Sequence, residues 1–216
     1  MKNIKQYLPQ ILLAFYTVLF IAVSVNPFNR AVWVAEVIPV LIPIVILIFT
    51  FKKFRFSNIS YFLMWFFLSI HTIGAHYTFE LVPFDFFNNL LSKLNFDFLF
   101  PENRNNFDRF GHFFVGVFAY PLAEFTYRKK YISNITTAIL FGIFALGFWG
   151  ALYEIIETIY AITHGGEEGA AFLGSQGDIW DAQKDMLLDI LGAMFVSVLF
   201  WFVWKDKSID SKHKEL

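Results

Sequence analysis

Cysteine is absent from the chain, which removes disulfides, thiolate catalysis and cysteine-ligated zinc from consideration. Net charge is nearly absent too: 17 Lys and Arg stand against 18 Asp and Glu, for a formal −1. The basic residues form short clusters beside apolar runs, with no basic stripe of the kind that tracks nucleic acid, so no nucleic-acid partner is expected. Three catalytic signatures are missing, H-E-x-x-H, G-x-S-x-G and G-x-x-x-x-G-K-[ST]. Ser175, in Leu173-Gly-Ser-Gln-Gly177, has no base beside it, so a serine nucleophile finds no support. No internal repeat, low-complexity tract or Gly/Ser linker divides the chain.

What the chain has in excess is apolar residues. It is 57% hydrophobic and 16% charged and carries 30 Phe, more than a soluble domain of 216 residues would hold. It reads as an all-α integral membrane protein, a single polytopic domain over residues 1–216. Six apolar runs are long enough to span a bilayer: roughly 8–25, 31–51, 60–79, 110–127, 135–161 and 184–204. The first follows Lys2 and Lys5, and Ala22-Val-Ser24 loosely fits a signal-peptide cleavage site. Its length and the five runs after it favour an uncleaved anchor.

Basic residues orient the runs. Lys2 and Lys5 precede the first; Lys52, Lys53 and Arg55 separate the second and third; Arg128, Lys129 and Lys130 separate the fourth and fifth; Lys205, Lys207, Lys212 and Lys214 follow the sixth. The positive-inside rule then predicts both termini in the cytoplasm. In the outer connection 80–109, Phe86, Phe87, Leu90, Leu91, Leu94 and Phe98 recur at helical spacing, as an interfacial helix or a loop helix packed on the bundle would. The other long outer connection, 163–183, holds Gly165, Gly166, Gly169, Gly174 and Gly177, which suits a flexible loop and leaves a lid open.

Within that frame one stretch is costly. Asp178, Asp181, Asp185 and Asp189 are spaced three, four and four apart, so on a helix they share an arc of roughly 80° over about 16 Å. The stripe runs into the last apolar segment, where each central charge costs about 2.5–3.5 kcal/mol on the lenient insertion scale. A solvated helix start accounts for Asp178 and Asp181. It does not account for Asp185 and Asp189, which Leu187, Leu188, Ile190 and Leu191 surround.

The other ionisable residues near apolar runs fall at the same outer depth. These are Glu36, His71, His76, Asp108, His112, Glu154 and Glu157, while Glu124 alone lies near an inner end. Arg109 and Lys184 are too few to neutralise the inner acids, so either several acids are protonated or a cation is bound. Mixed imidazole and carboxylate ligands suit zinc, manganese or iron, and an all-oxygen subset suits magnesium or calcium. The expected ligands are His112, Asp185 and Glu154, followed by Asp108, Asp189 and His71. A buried histidine bonded to a neighbouring helix is the competing account of His71 and His76. His164 and His213 are expected in solvent, and Trp149, Tyr153 and Trp180 at the membrane interface.

Three segments carry a family resemblance: D-R-F-G-H-F at 108–113, Y-E-I-I-E at 153–157 and G-S-Q-G-D-I-W-D-A-Q-K-D-M-L-L-D-I-L-G-A at 174–193. They resemble the YjdF-type bacterial inner-membrane proteins, a family of unknown function, which implies a multi-pass protein of the bacterial cytoplasmic membrane. A looser similarity is to VanZ-like membrane proteins, associated with glycopeptide resistance. Their Asp-[Lys/Arg]-x-x-His element, later Glu and Asp/Asn stripe before a Gly would correspond to Asp108 and His112, Glu154, and Asp185, Asp189 and Gly192. Where that pattern continues with Gln and Arg, this chain has Glu157 and no clear Arg.

The expectation is therefore a bundle of six transmembrane helices with a polar pocket open to the extracytoplasmic side. The leading function is a metal-dependent hydrolase or transferase acting on a lipid-linked substrate at the outer leaflet. Zinc, manganese or magnesium would polarise an oxygen or activate water, Asp185 or Glu154 would handle a proton, and Arg109 would hold a phosphate. A cation or proton-coupled transporter and a structural, partner-docking protein stay open as alternatives.

Overall fold

The structure is a computed structural model that describes residues 4–93 and 96–212, without the side chains of Ile4, Glu168, Ala171 and residues 206–212. Lys2, Leu94, Asn95, His213 and Lys214 lie outside the described residues, as do the side chains of Lys207 and Lys212. The described elements are helical throughout: a 3-10 turn Ile4–Tyr7, then α1 Leu8–Val23, α2 Arg30–Thr50, α3 Asn58–His76, α4 Asp85–Ser92, α5 Phe107–Val115, a 3-10 turn Gly116–Phe118, α6 Ala119–Arg128, α7 Ile135–His164, α8 Gly166–Leu173 and α9 Asp181–Lys212.

Among the described residues, five helical segments are long and apolar enough to cross a membrane: Lys5–Val23, Arg30–Thr50, Asn58–His76, Ile135–His164 and Asp181–Lys205. The 21 residues of α2 extend about 31 Å, close to the thickness of a hydrocarbon core. Their starts are written locally. Asn29, Ser57 and Asn134 each accept a backbone N–H of the helix that follows, and Pro9 sits at the start of α1. Phe49, Phe144, Phe148 and Phe195 are 70–78% exposed, which only a lipid-facing surface tolerates in such number.

The run expected as a fourth span, 110–127, is helical throughout but tightens to a 3-10 turn midway and is not one continuous α-helix. It consists of α5, the 3-10 turn and α6, and two features break it. Pro121 has no N–H to offer the Val117 carbonyl, which instead accepts from Ala119. Gly116 meets α9 so closely that an added Cβ would strike the backbone of Gly192 and Ala193. A Cβ on Gly192 would likewise strike the Phe113 carbonyl, so the two glycines set a close crossing. Because α9 packs along α5, the turn and α7, the acids of α9 face the charged residues of α5 and α7.

Polar groups gather at both ends of the bundle. At one end, Arg55 donates to the Gln6 carbonyl, Asn58 to the Lys5 carbonyl at 2.9 Å, and Arg128 to the Arg55 carbonyl at 2.8 Å. The basic clusters that separate the spans thus converge there. Between the ends lies an apolar core that includes Leu12, Tyr61, Phe67, Leu146, Val196 and Phe200.

The two long connections also take shape. The pattern at 80–109 yields α4, which stops at Ser92 and keeps Phe86, Phe87 and Leu90 exposed while Leu91 packs on Val82, Phe84 and Phe107. The glycine-rich connection contains α8, entered through Gly165 and Gly166 and left through Gly174, all at positive φ. A Cβ on Gly169 would meet the Ala161 carbonyl at 2.8 Å, so α8 lies tightly on the end of α7.

Candidate metal centre

Helical spacing places Asp108 and His112 on one face of α5 and Asp181, Asp185 and Asp189 on one face of α9. Ligand atoms of Asp108, His112 and Asp185 all lie within 4.8 Å of one another. His112 is the hub. Its Nδ1 is 3.0 Å from Asp189 Oδ1, while its Nε2 lies 3.7 Å from Asp108 Oδ1 and 3.8 Å from Glu154 Oε1. Two ligands each about 2.1 Å from a zinc-sized ion sit roughly 3–4 Å apart, which is the spacing around Nε2. A carboxylate on the far nitrogen of a ligating histidine is the usual orienting arrangement, and Asp189 stands where it would act that way.

Asp185 and Asp189 are 2% and 1% exposed. Asp185 Oδ1, Asp189 Oδ2 and Glu154 Oε1 are buried without a hydrogen-bond partner among the described residues. Orphaned carboxylate oxygens at that depth are rare in folded proteins and call for a proton, a water or an ion. Gly150 makes the room: a Cβ there would strike Asp189 Oδ2.

The first two acids of the stripe behave differently. The helix begins at Asp181, so Asp178 precedes it and its Oδ1 accepts the Trp180 N–H. Neither acid is simply solvated, contrary to expectation. Asp178 Oδ2 takes Arg109 at 2.5 Å and Lys184 at 2.6 Å, and Asp181 Oδ1 takes Arg109 at 3.0 Å together with Arg104. Burial works to raise the Asp178 carboxyl, but the bonds from Lys184, the Trp180 N–H and Arg109 outweigh it and hold it well below the usual carboxylate range.

Arg109 itself is fully buried, with its terminal nitrogens on Asp178, Asp181 and the Leu99 carbonyl. Its Nε is 3.9 Å from Asp185 Oδ1, beyond hydrogen-bond reach. Arg109, expected to hold a phosphate, does not line this cavity. It fastens α5 to the start of α9.

A cavity of about 60 Å³ adjoins the centre, with Asp108, His112 and Asp189 at one side. Its other side holds a second cluster. His71 Nε2 is 3.3 Å from Glu36 Oε2, and the Tyr153 hydroxyl donates to the same oxygen at 2.9 Å. His71 therefore shares the cavity with the expected ligands but pairs with Glu36 instead of joining them. Phe172, Leu173 and Gly174, from α8 and its end, close the cavity over.

Tyr153 and Trp149, expected at the interface, also line this cavity. His76 takes the competing role of a buried histidine: its Nδ1 lies 2.7 Å from the Val23 carbonyl. His164 is exposed, stacked on Tyr160. Arg104, Glu36 and Glu157 escaped the expected site. Arg104 carries a local signal, four residues before Asp108, with which it pairs at 3.5 Å. For Glu36 the partners lie 35 and 117 residues away, and no local pattern marks them.

Comparison with known proteins agrees with the resemblance carried by the second-half motifs. The profile of the family described as "Predicted membrane protein (DUF2238)" matches residues 8–206. Inner membrane protein YjdF of Escherichia coli (strain K12) is 33% identical over 187 residues, 85% of this chain and 84% of that protein. No solved structure matches significantly. The match takes in residues of all five candidate spans among the described residues, and Asp108, Glu154, Glu157, Asp181, Asp185 and Asp189; the chain belongs to the DUF2238 family of membrane proteins.

Proposed function

We propose that the protein is a metal-dependent hydrolase or transferase of the bacterial inner membrane, acting on an amphiphilic, lipid-linked substrate at the extracytoplasmic leaflet. One observation carries the reading: Asp108, His112 and Asp185 bring ligand atoms within 4.8 Å of one another beside carboxylate oxygens that have no hydrogen-bond partner among the described residues. A zinc, manganese or magnesium ion held there would polarise a substrate oxygen or lower the pKa of a bound water. Asp189 would fix the imidazole from behind, and Glu154, at the edge of the set, would carry the proton.

The orientation belongs to the same reading. The basic clusters sit together at one end and the centre at the other, so the positive-inside rule puts both termini in the cytoplasm and the cavity toward the outer leaflet. The α5–α6 segment would complete a sixth crossing as a broken helix. Non-ideal backbone at membrane depth needs cover, and α9 and α7 cover it.

A transport path would need polar groups continuing to the inner end. Glu124, the acid there, is fully buried and already takes Ser57 N and Oγ at 2.7 Å each, Ser60 Oγ at 2.5 Å and Arg128 at 2.6 Å. Four donors leave it no free site for a passing ion, which favours the enzyme.

Metal analysis of the purified protein tests the proposal. A stoichiometric divalent metal is expected, lost in His112→Ala and in Asp185→Asn with the fold retained. Wild-type protein that holds no metal after incubation with zinc, manganese and magnesium would overturn it.

A further inference from the structure

We propose that the cavity beside the metal centre recognises a protonated primary amine. This rests on the reading above and deepens it, by naming the part of the substrate that this cavity would hold. Glu157 carries the argument. It is 8% exposed, it lines the cavity, and it makes no hydrogen bond or ion pair among the described residues. Asp189 Oδ2, across the same space, is equally without a partner.

The charges around the cavity are one-sided. Four carboxyls, Glu36, Asp108, Glu157 and Asp189, line it against two imidazoles, and no Lys or Arg does. Such a wall is rich in anionic acceptors and holds no Lys or Arg, so it fits a ligand that brings N–H groups and positive charge. It opposes a bare phosphate for the same reason. Glu36 is held ready by Tyr153 and His71, and Trp149, Tyr153 and Phe79 add aromatic faces that attract cations.

Size narrows the class. At about 15 Å³ for each water-sized group, the roughly 60 Å³ cavity takes about four. An ammonium with a short carbon stem fits. A quaternary ammonium is bulkier and brings no N–H to these acceptors.

Calorimetry on the full-length, metal-loaded protein in detergent tests this with ethanolamine, choline and dihexanoyl phosphatidylethanolamine. Ethanolamine should bind, choline at least tenfold more weakly. Glu157→Gln should weaken ethanolamine at least tenfold while metal content stays at the wild-type level, which also shows that the variant is folded. Glu157→Asp, which keeps the charge, should recover part of the affinity. Tighter binding of the short-chain lipid than of ethanolamine would place the amine on a lipid, and equal binding would place it on a soluble molecule; either supports the inference. No ethanolamine binding by wild type, equal binding by Glu157→Gln, or equal binding of choline would overturn it. Metal retained without amine affinity sinks this inference alone, whereas amine affinity without metal sinks the metal reading alone.

Discussion

Gly150 leaves Asp189 the space that its own Cβ would fill, so a residue on α7 with no side chain decides where a carboxylate on α9 can stand. The carboxylate in turn fixes the Nδ1 side of His112 at 3.0 Å. Gly150→Ala should therefore act on the proposed metal centre as well as on packing. We expect a loss of about 1–3 kcal/mol in stability, as for other overpacked sites, together with reduced metal content. Thermal unfolding and metal analysis of the same preparation check both; normal metal content would mean that Asp189 does not orient His112.

The Arg109 link to the start of α9 predicts an acid limb. Asp178 has a folded pKa below its unfolded value, so its contribution is fully present above about pH 4 and is lost as pH falls below that. Thermal midpoints measured from pH 6 to pH 3 should fall in wild type and flatten in Asp178→Asn. Arg109→Met removes the buried partner of two acids and should cost about 3–5 kcal/mol. A silent Arg109→Met would show that Arg104 and Lys184 suffice.

At the other end of the bundle, Glu124 should matter for folding and not for the metal. It joins α6 to the residues that start α3 through Ser57 and Ser60. Glu124→Gln leaves buried hydroxyl donors with a weaker acceptor and should cost about 1–3 kcal/mol. Metal content should be unchanged. Metal-dependent cation flux in proteoliposomes that this variant abolishes would replace the proposed enzyme reading with a transport path.

Topology is checked by labelling. Cysteines at the exposed positions Asn89 and Glu167 should react with an impermeant thiol reagent applied to whole cells. A cysteine at Ser133, exposed between α6 and α7, should not. Reaction at position 133 alone would invert the orientation and turn the cavity toward the cytoplasm.

The parts of this structure legible in the sequence are those written in short spacing. Asp108 with His112 and Asp185 with Asp189 are i, i+4 pairs, so a helix had to present each pair on one face. Membrane-crossing helices follow from run length, and their starts from Asn29, Ser57 and Asn134. What stayed hidden depends on which helices meet. Arg109 lies between Asp108 and His112 in sequence yet turns to Asp178 and Asp181, about 70 residues on. Tyr153 reads as an interfacial anchor until α2 brings Glu36 to its hydroxyl. The break at Gly116–Phe118 had a visible cause in Pro121, but the close approach of Gly192 that accompanies it was not local.

The roof and the floor of the cavity come from different stretches of chain. The acids and histidines lie on α2, α3, α5, α7 and α9, whereas α8 covers them with Phe172 and Leu173 and hangs between positive-φ glycines. Gly169 and Phe172, which seat α8 on α7, are held by packing, whereas its exposed positions can change with little penalty to the rest of the bundle. Under the proposed function, related chains could differ in what they admit above a common acidic floor, and exchanging Gly166–Leu173 between relatives should change ligand selectivity while leaving metal content unchanged.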